Sequence, residues 1–401
     1  MNKVDVSYRG QPLGTLAVVR GGIFFEYAPA FLATGHELSP LALPLGSGVR
    51  ARDTAPTLRL HGLFEDSLPD SWGTRVMDDW FRQQGVAPHR VDPLMRLSFI
   101  GRRGFGALEY APAQPVEAAR GTLDTIYAAS AQMAAGASTD LALLAEVGTS
   151  PGGARPKAAL WFDAELRALA HDGDAAHPHA WLVKFDTTAE HTLGRVEYAY
   201  ALLARAAGLE MPETRLLTTE HATGPRAHFA VRRFDRIGAE RVHYHSLAGL
   251  CQMPGGDLDY QTLLRVARRI TRDHGEVRKA FRRAVFNVLA SNRDDHGKNH
   301  GFLYDDAQRQ WRLSPAFDLT FVGAGQLRER GMAVLGERSR VGVPHLEQLA
   351  ADEGIERADC RAVLDEVRTA LARWPEFAAA AGLPERETSE IGAALQVPRS
   401  A

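Results

Sequence analysis

The stretch that most constrains the fold is Asn287-Val288-Leu289-Ala290-Ser291-Asn292-Arg293-Asp294-Asp295-His296-Gly297-Lys298-Asn299-His300-Gly301-Phe302. An apolar run with helical periodicity stops here in a dense cluster of Asn, Arg, Asp, His and Lys. A β-like segment follows and leads to Leu313-Ser314-Pro315-Ala316-Phe317-Asp318. Asn299 stands five positions after Asp294, and Asp318 nineteen after Asn299. Helix, polar loop, short β excursion and second acidic site suit phosphoryl transfer. There the first Asp orients or deprotonates the acceptor hydroxyl, while an Asn amide oxygen and the last Asp hold Mg²⁺ against nucleotide phosphates. Asp and Asn are also common turn residues that bond their own backbone, so the rest of the chain must supply partners.

Composition removes several alternatives. The chain has 401 residues, 24% of them charged, with a net charge of −2. That length suggests two to three domains or lobes, and the charge gives no global signal for nucleic acid or membrane. Cys251 and Cys360 lie far apart and form neither a disulfide framework nor a metal-ligand pattern. No apolar run is long enough to span a bilayer, and Met1–Tyr8 lacks the apolar core of a signal peptide. A cytoplasmic protein with no membrane contact is expected.

The first 27 residues predict a small antiparallel sheet. Val4, Val6 and Tyr8 alternate, and turns are expected at Arg9-Gly10-Gln11-Pro12 and Arg20-Gly21-Gly22. A helix is expected over 72–82, with Asp70 or Ser71 as its N-cap, and another over 92–99. Ile100-Gly101-Arg102-Arg103-Gly104-Phe105-Gly106 is a glycine-punctuated loop into a strand. It has no preceding strand or following helix to make it a dinucleotide fingerprint. Residues 111–120 read as a linker.

Two cations and three glycines precede a strand in Gly148-Thr149-Ser150-Pro151-Gly152-Gly153-Ala154-Arg155-Pro156-Lys157. Such a loop brings backbone N–H groups close to phosphate oxygens. Lacking a Gly-Lys-Ser/Thr end, it is not a Walker motif. Lys184 closes the apolar strand 179–185, and Glu197 lies on an amphipathic helix over 190–209. A strand Lys paired with a helix Glu is how kinases hold nucleotide phosphates. Strands are expected over 211–217 and 228–236, the latter ending in a hinge near Arg232–Arg236. Helices are expected over 122–134, 140–147, 258–271, 273–292, 344–352, 356–373 and 384–395. Arg328-Glu329-Arg330 reads as a solvated charge run.

Together these elements predict an α+β, bilobal, protein-kinase-like fold, with a mixed N-lobe and a mainly helical C-lobe. The expected division is 1–112 for an N-terminal subdomain, 113–236 for the core of the N-lobe and 237–401 for the C-lobe. His-Arg-Asp is absent, and Asp318-Leu319-Thr320 stands where a eukaryotic-type kinase has Asp-Phe-Gly. The order of parts is nevertheless that of a kinase. His296 is expected to make an orienting hydrogen bond rather than bind metal. Lys298 either neutralises γ-phosphate charge or is solvated.

At this point the sequence resembles the HipA-type serine/threonine-protein kinase toxins of bacterial toxin–antitoxin modules. Ser150-Pro151-Gly152-Gly153-Ala154-Arg155-Pro156-Lys157 resembles the family's Ser-x-x-Gly-Ala-x-x-Lys loop. Asn292–Asn299 is similar to its catalytic motif and Leu313–Asp318 to its metal-binding motif; Arg233-Phe234-Asp235-Arg236 is also typical. Tyr8–Gly14, Leu68-Pro69-Asp70 and Gly101–Gly104 resemble the family's N-terminal subdomain. The resemblance implies ATP and Mg²⁺ as cofactors and Asp294 as catalytic base. Asn299 and Asp318 would hold the metal, and Lys184 the ATP phosphates. The rest of the nucleotide site would draw on Ser150, Gly152, Gly153, Ala154 and Lys157 of the loop, on Arg233 and Phe234, and on His296 and Lys298. Ser150 would also be a regulatory autophosphorylation site. Implied partners are a protein substrate such as an aminoacyl-tRNA synthetase and a separate helix-turn-helix HipB-like antitoxin, with DNA reached only through that antitoxin. Arg232 departs from the acidic residue common before Arg-Phe-Asp-Arg, and His245–Leu250 replaces a more polar stretch. Two other readings stand beside this one: a small-molecule kinase sharing the Asp-x4-Asn loop, and a pseudokinase acting as a co-repressor.

Overall fold

Alternation in Lys3-Val4-Asp5-Val6-Ser7-Tyr8 places Val4, Val6 and Tyr8 on one buried face, which makes this segment a half-buried strand. In the computed structural model, which describes residues 1–52, 60–116, 119–148, 153–166, 169–170, 173–221 and 224–396, it is strand β1 (Lys3–Tyr8). It pairs antiparallel with β2 (Gln11–Val19), which pairs with β3 (Gly22–Tyr27), itself edged by β4 (Val49–Ala51). The return strand β5 (Leu108–Ala111) completes the order β4-β3-β2-β1-β5. The first hairpin turns on Arg9 and Gly10, with φ of 50° and 81°. Both central residues are left-handed, as a two-residue hairpin turn requires. The helix Ser71–Gln83 buries Trp72, Val76, Met77, Trp80 and Phe81.

A second antiparallel sheet carries the glycine loop. It contains β6 (Lys157–Phe162), β7 (Leu169–Ala170), β8 (His179–Lys184), β9 (Thr214–Thr219) and β10 (Arg226–Arg232), in the order β7-β6-β8-β10-β9. Helices Leu123–Ala134 and Leu141–Val147 cover it, and Ile126, Leu143 and Val147 pack with Leu160, Trp181 and Val183 in a separate core. The predicted strand over 228–236 stops at Arg232. Asp235 turns the chain there, because its buried carboxylate accepts from Arg233 (2.9 Å), Arg236 (2.5 Å) and the Gly106 N–H (2.8 Å). A short hairpin follows, β11 (Arg236–Ile237) with β12 (Glu240–Arg241). The glycine-punctuated loop 101–106 is thus structural: it docks the N-terminal sheet onto Arg233-Phe234-Asp235-Arg236.

The third unit is helical around a small sheet of β13 (His243–Ser246), β14 (Gly301–Asp305) and β15 (Gln310–Leu313). Asp259 caps the helix Tyr260–Thr271 by accepting from the Thr262 N–H at 2.7 Å, and Asp273 caps His274–Leu289 through the Gly275 N–H, also at 2.7 Å. The second half of His274–Leu289, from Arg283 onward, is buried on all sides, while His274, Arg278 and Lys279 face solvent. It ends three residues short of expectation, where Ser291 turns left-handed at φ 55°. Arg330 corrects the reading of 328–330 as a solvated run. Its buried guanidinium donates to the Asn287, Asn292 and Val288 carbonyls at 3.0, 3.1 and 2.9 Å, satisfying the orphan groups at that helix end. Its fixed planar fork binds several carbonyls at once, and so anchors the start of the polar loop. The N-terminal sheet and this helical unit share one continuous core.

Candidate active site

Lys184 ends β8 because the strand's alternation turns its side chain into the cleft beside the helix Leu193–Ala206. Its Nζ lies 2.6 Å from Glu197 Oε2, while Glu197 Oε1 accepts from Arg155 at 2.6 Å. Lys184 also pairs with Asp318. Burial opposes the Lys184 charge, but Asp318 and Glu197 outweigh it and hold the ammonium above its ordinary value. Burial raises the Asp318 carboxyl, yet Lys184 and Lys157 more than reverse this and keep it strongly ionised. Asp318 adopts φ 56°, a conformation that Asp tolerates better than most residues.

The polar loop separates the two adjacent carboxylates. Asp295 is buried, accepts from the Tyr260 hydroxyl and lies 2.9 Å from His300 Nε2. Although burial raises its carboxyl, His300 and Tyr260 bring it below the ordinary value. Asp294 is exposed, and it is not among the residues that line the cleft. Burial raises its carboxyl, opposed by His296 and reinforced by Asp318. Asp295 therefore holds the loop, while Asp294 stays accessible to solvent. Asn299 donates from Nδ2 to the Asp294 carbonyl at 3.3 Å, and its backbone N–H donates to the His296 carbonyl at 2.8 Å. These bonds close the five-residue interval into a turn. His296 is half-buried, and its Nδ1 has no hydrogen-bond partner among the described residues. The expected orienting bond is not made at that nitrogen.

One cleft is lined by Lys157, Lys184, Glu197, Arg233, Phe234, Lys298, Asn299, Phe317 and Asp318. The apolar wall includes Phe234, with Phe105 and Phe317 at ring distances of 5.3 and 5.6 Å. Lys157 is buried; desolvation and the neighbouring Lys184 charge push it down to about 8. Arg233 spends its guanidinium on Asp235 and stacks over Phe105 at 5.1 Å, so it shapes the wall rather than offering a free charge. Arg232, just before Arg233-Phe234-Asp235-Arg236, is engaged with His179 at 2.9 Å. Ala154 is exposed. Ser150 and Gly152 lie outside the described residues.

Asp70 stands at the expected N-cap position of Ser71–Gln83, but its side chain has other partners and makes no cap bond. Instead Oδ1 lies 2.5 Å from Lys298 Nζ and Oδ2 accepts from the Gly153 N–H at 3.0 Å. Lys298 is therefore paired rather than merely solvated. Arg155, a loop cation in the sequence, is paired with Glu197. Among the described residues no group of three or more His, Cys, Asp or Glu could hold a metal. The Asn299 amide and the ionised Asp318 are hard oxygen donors, and two such ligands fit Mg²⁺, which keeps several waters and binds substrate phosphates.

Two lobes around this cleft, with the Lys–Glu pair on one side and the Asp-x4-Asn loop and second Asp on the other, make an α+β protein of protein-kinase-like fold. Residues 4–111 match the HipA N-terminal domain and residues 149–374 the HipA-like C-terminal domain, and the chain belongs to the HipA family. It is similar in fold to HipA of Shewanella oneidensis, solved in complex with HipB and its operator DNA. The TM-score is 0.68 at 18% identity, covering 98% of this chain and 96% of that one. It is also 31% identical over 152 residues to a Sinorhizobium fredii protein named "Putative kinase Y4dM". That match spans 35% of this chain and 37% of the relative's length. No helix among the described residues is long and apolar enough to cross a membrane.

Proposed function

We propose that this HipA-family protein is an ATP- and Mg²⁺-dependent serine/threonine protein kinase. The observation that carries this reading is the convergence of Lys184, Glu197, Asn299 and Asp318 on one cleft. Asp294, within electrostatic reach of Asp318, is its base. Lys184 and Lys157 bind the nucleotide phosphates, and Glu197 orients Lys184. Asn299 and Asp318 hold Mg²⁺, which when bound neutralises charge on the β- and γ-phosphates. Asp294 orients the acceptor hydroxyl and takes its proton as the oxygen bonds to the γ-phosphorus and the bond to the bridging oxygen breaks. A carboxylate raised by burial from its ordinary value is better matched to that proton than an unshifted one.

The proposed acceptors are a translation-related protein, an aminoacyl-tRNA synthetase being the foremost class, and Ser150 of the chain itself. A phosphate there adds about −1.5 to −2 charge to a loop that serves another polyphosphate. The likeness to a HipA solved with HipB and operator DNA supports a helix-turn-helix antitoxin partner, with DNA contacted through it. Phosphoproteomics after induced expression tests the acceptor. The parent should add phosphate to a small set of Ser/Thr sites that Asp294→Asn does not modify. Identical phosphoproteomes would reject protein kinase activity and favour a small-molecule acceptor or a silent binding role.

A further inference from the structure

We propose that Asp70 is a positioning residue of the phosphate-transfer site, supplied by the N-terminal domain across the domain boundary. The proposal rests on the phosphoryl-transfer reading and goes beyond it by making the N-terminal domain part of the site.

Three observations carry it. Asp70 stands where Asp ordinarily caps a helix, and its carboxylate leaves its own helix uncapped to reach the cleft. There one carboxylate joins two parts of the site that are far apart in sequence, the Gly153 N–H of the glycine loop and the Lys298 ammonium beside Asn299. The contact is charged on both sides: burial raises the Asp70 carboxyl, but Lys298 and the Gly153 N–H bring it below the ordinary value.

The helix whose N-cap position is Asp70 also packs next to the start of the glycine-loop segment. Ser71–Gln83 packs against Leu141–Val147, the helix that leads into the glycine loop, and Trp72 lies beside Gly148. The N-terminal domain thus reaches both flanks of this segment, by packing at Gly148 and by a charged hydrogen bond at Gly153. A loop backbone and a lysine held in this way are pre-set for phosphate and lose less freedom when it arrives. Asp70 touches no reacting atom and acts through Gly153 and Lys298.

The test compares steady-state transfer from ATP by the full chain with that of Asp70→Ala, Asp70→Asn, Lys298→Ala and the double variant Asp70→Ala/Lys298→Ala. Because the two side chains act as a unit, each alanine should lower kcat/KM for ATP about tenfold and the pair together also about tenfold, rather than about a hundredfold. Asp70→Asn, which keeps an acceptor oxygen for the Gly153 N–H, should recover part of the loss. Fully multiplicative losses, activity within twofold of the parent in Asp70→Ala, or tighter ATP binding in that variant would each overturn the proposal. If Asp70→Ala fails to fold, full activity in Asp70→Asn would overturn it, and a partial loss there would support it. A parent that transfers no phosphate would instead defeat the functional reading beneath it, an outcome distinct from an active parent indifferent to Asp70.

Discussion

The Lys184 ammonium lies 2.6 Å from a Glu197 carboxylate oxygen, and the same ammonium pairs with Asp318. This one cation joins the sheet, the helix Leu193–Ala206 and the segment after β15. Lys184→Met leaves Asp318 without its nearest cation and breaks a buried pair, a change that costs about 3 kcal/mol in such settings. Urea unfolding should show that loss, and the thermal shift with Mg-ATP should disappear.

Adjacent Asp294 and Asp295 should separate cleanly. Asp295 is buried against Tyr260 and His300. Asp295→Ala removes a buried charged partner and should cost about 3 kcal/mol or more of stability. Asp294→Asn should abolish transfer while the Tm holds or rises. The sign follows from linkage. Asp294 has a folded value above its unfolded one, so the native state binds the extra proton and stability falls as pH rises through that interval. At neutral pH its charge is a cost that Asn removes.

Asp318 carries the opposite sign. Its folded value lies below the unfolded one. Its stabilisation is fully present above the unfolded value and is lost as pH falls toward the folded value. Asp318→Ala should therefore lower stability at pH 7 by about 2 kcal/mol, the scale of hydrogen bonds to a charged group. The deficit should shrink on acidification. Unfolding curves at several pH values give the comparison.

Lys157 should make nucleotide binding sensitive to alkali. In the free protein its ammonium sits near 8 because of burial and Lys184. Above that pH it is neutral and no longer attracts phosphate, so ATP affinity should fall as pH rises through about 8. Below it the charge is present and affinity is full. Titration calorimetry in buffers of different ionisation enthalpy should show proton uptake on binding near that pH. Lys157→Met should bind more weakly and lose the dependence.

Much of this is legible in the sequence where the signal is local. The helical period brings the observed helices Tyr260–Thr271 and Arg357–Ala372 within two residues of their predicted bounds. The Asp294-x4-Asn299 interval is visible because its parts share one loop. Contacts that cross the chain are not. The Asp70–Lys298 pair spans 228 positions, and the local signal at Asp70 is that of a helix cap. Arg330 reads as surface because it lies in a charged run, and only the folded helix end shows the carbonyls that it satisfies. The early stop of β10 has the same origin, since Asp235 takes a donor from Gly106, 129 positions away.

The most direct test is transfer of the γ-phosphate of ATP by the purified chain, followed by intact mass and peptide mapping with and without Mg²⁺. Magnesium-dependent phosphate on Ser150 is expected in the parent and absent from Asp294→Asn and Asp318→Ala. Equal phosphate on the parent and both variants, or none on the parent with any protein acceptor, would contradict the kinase assignment.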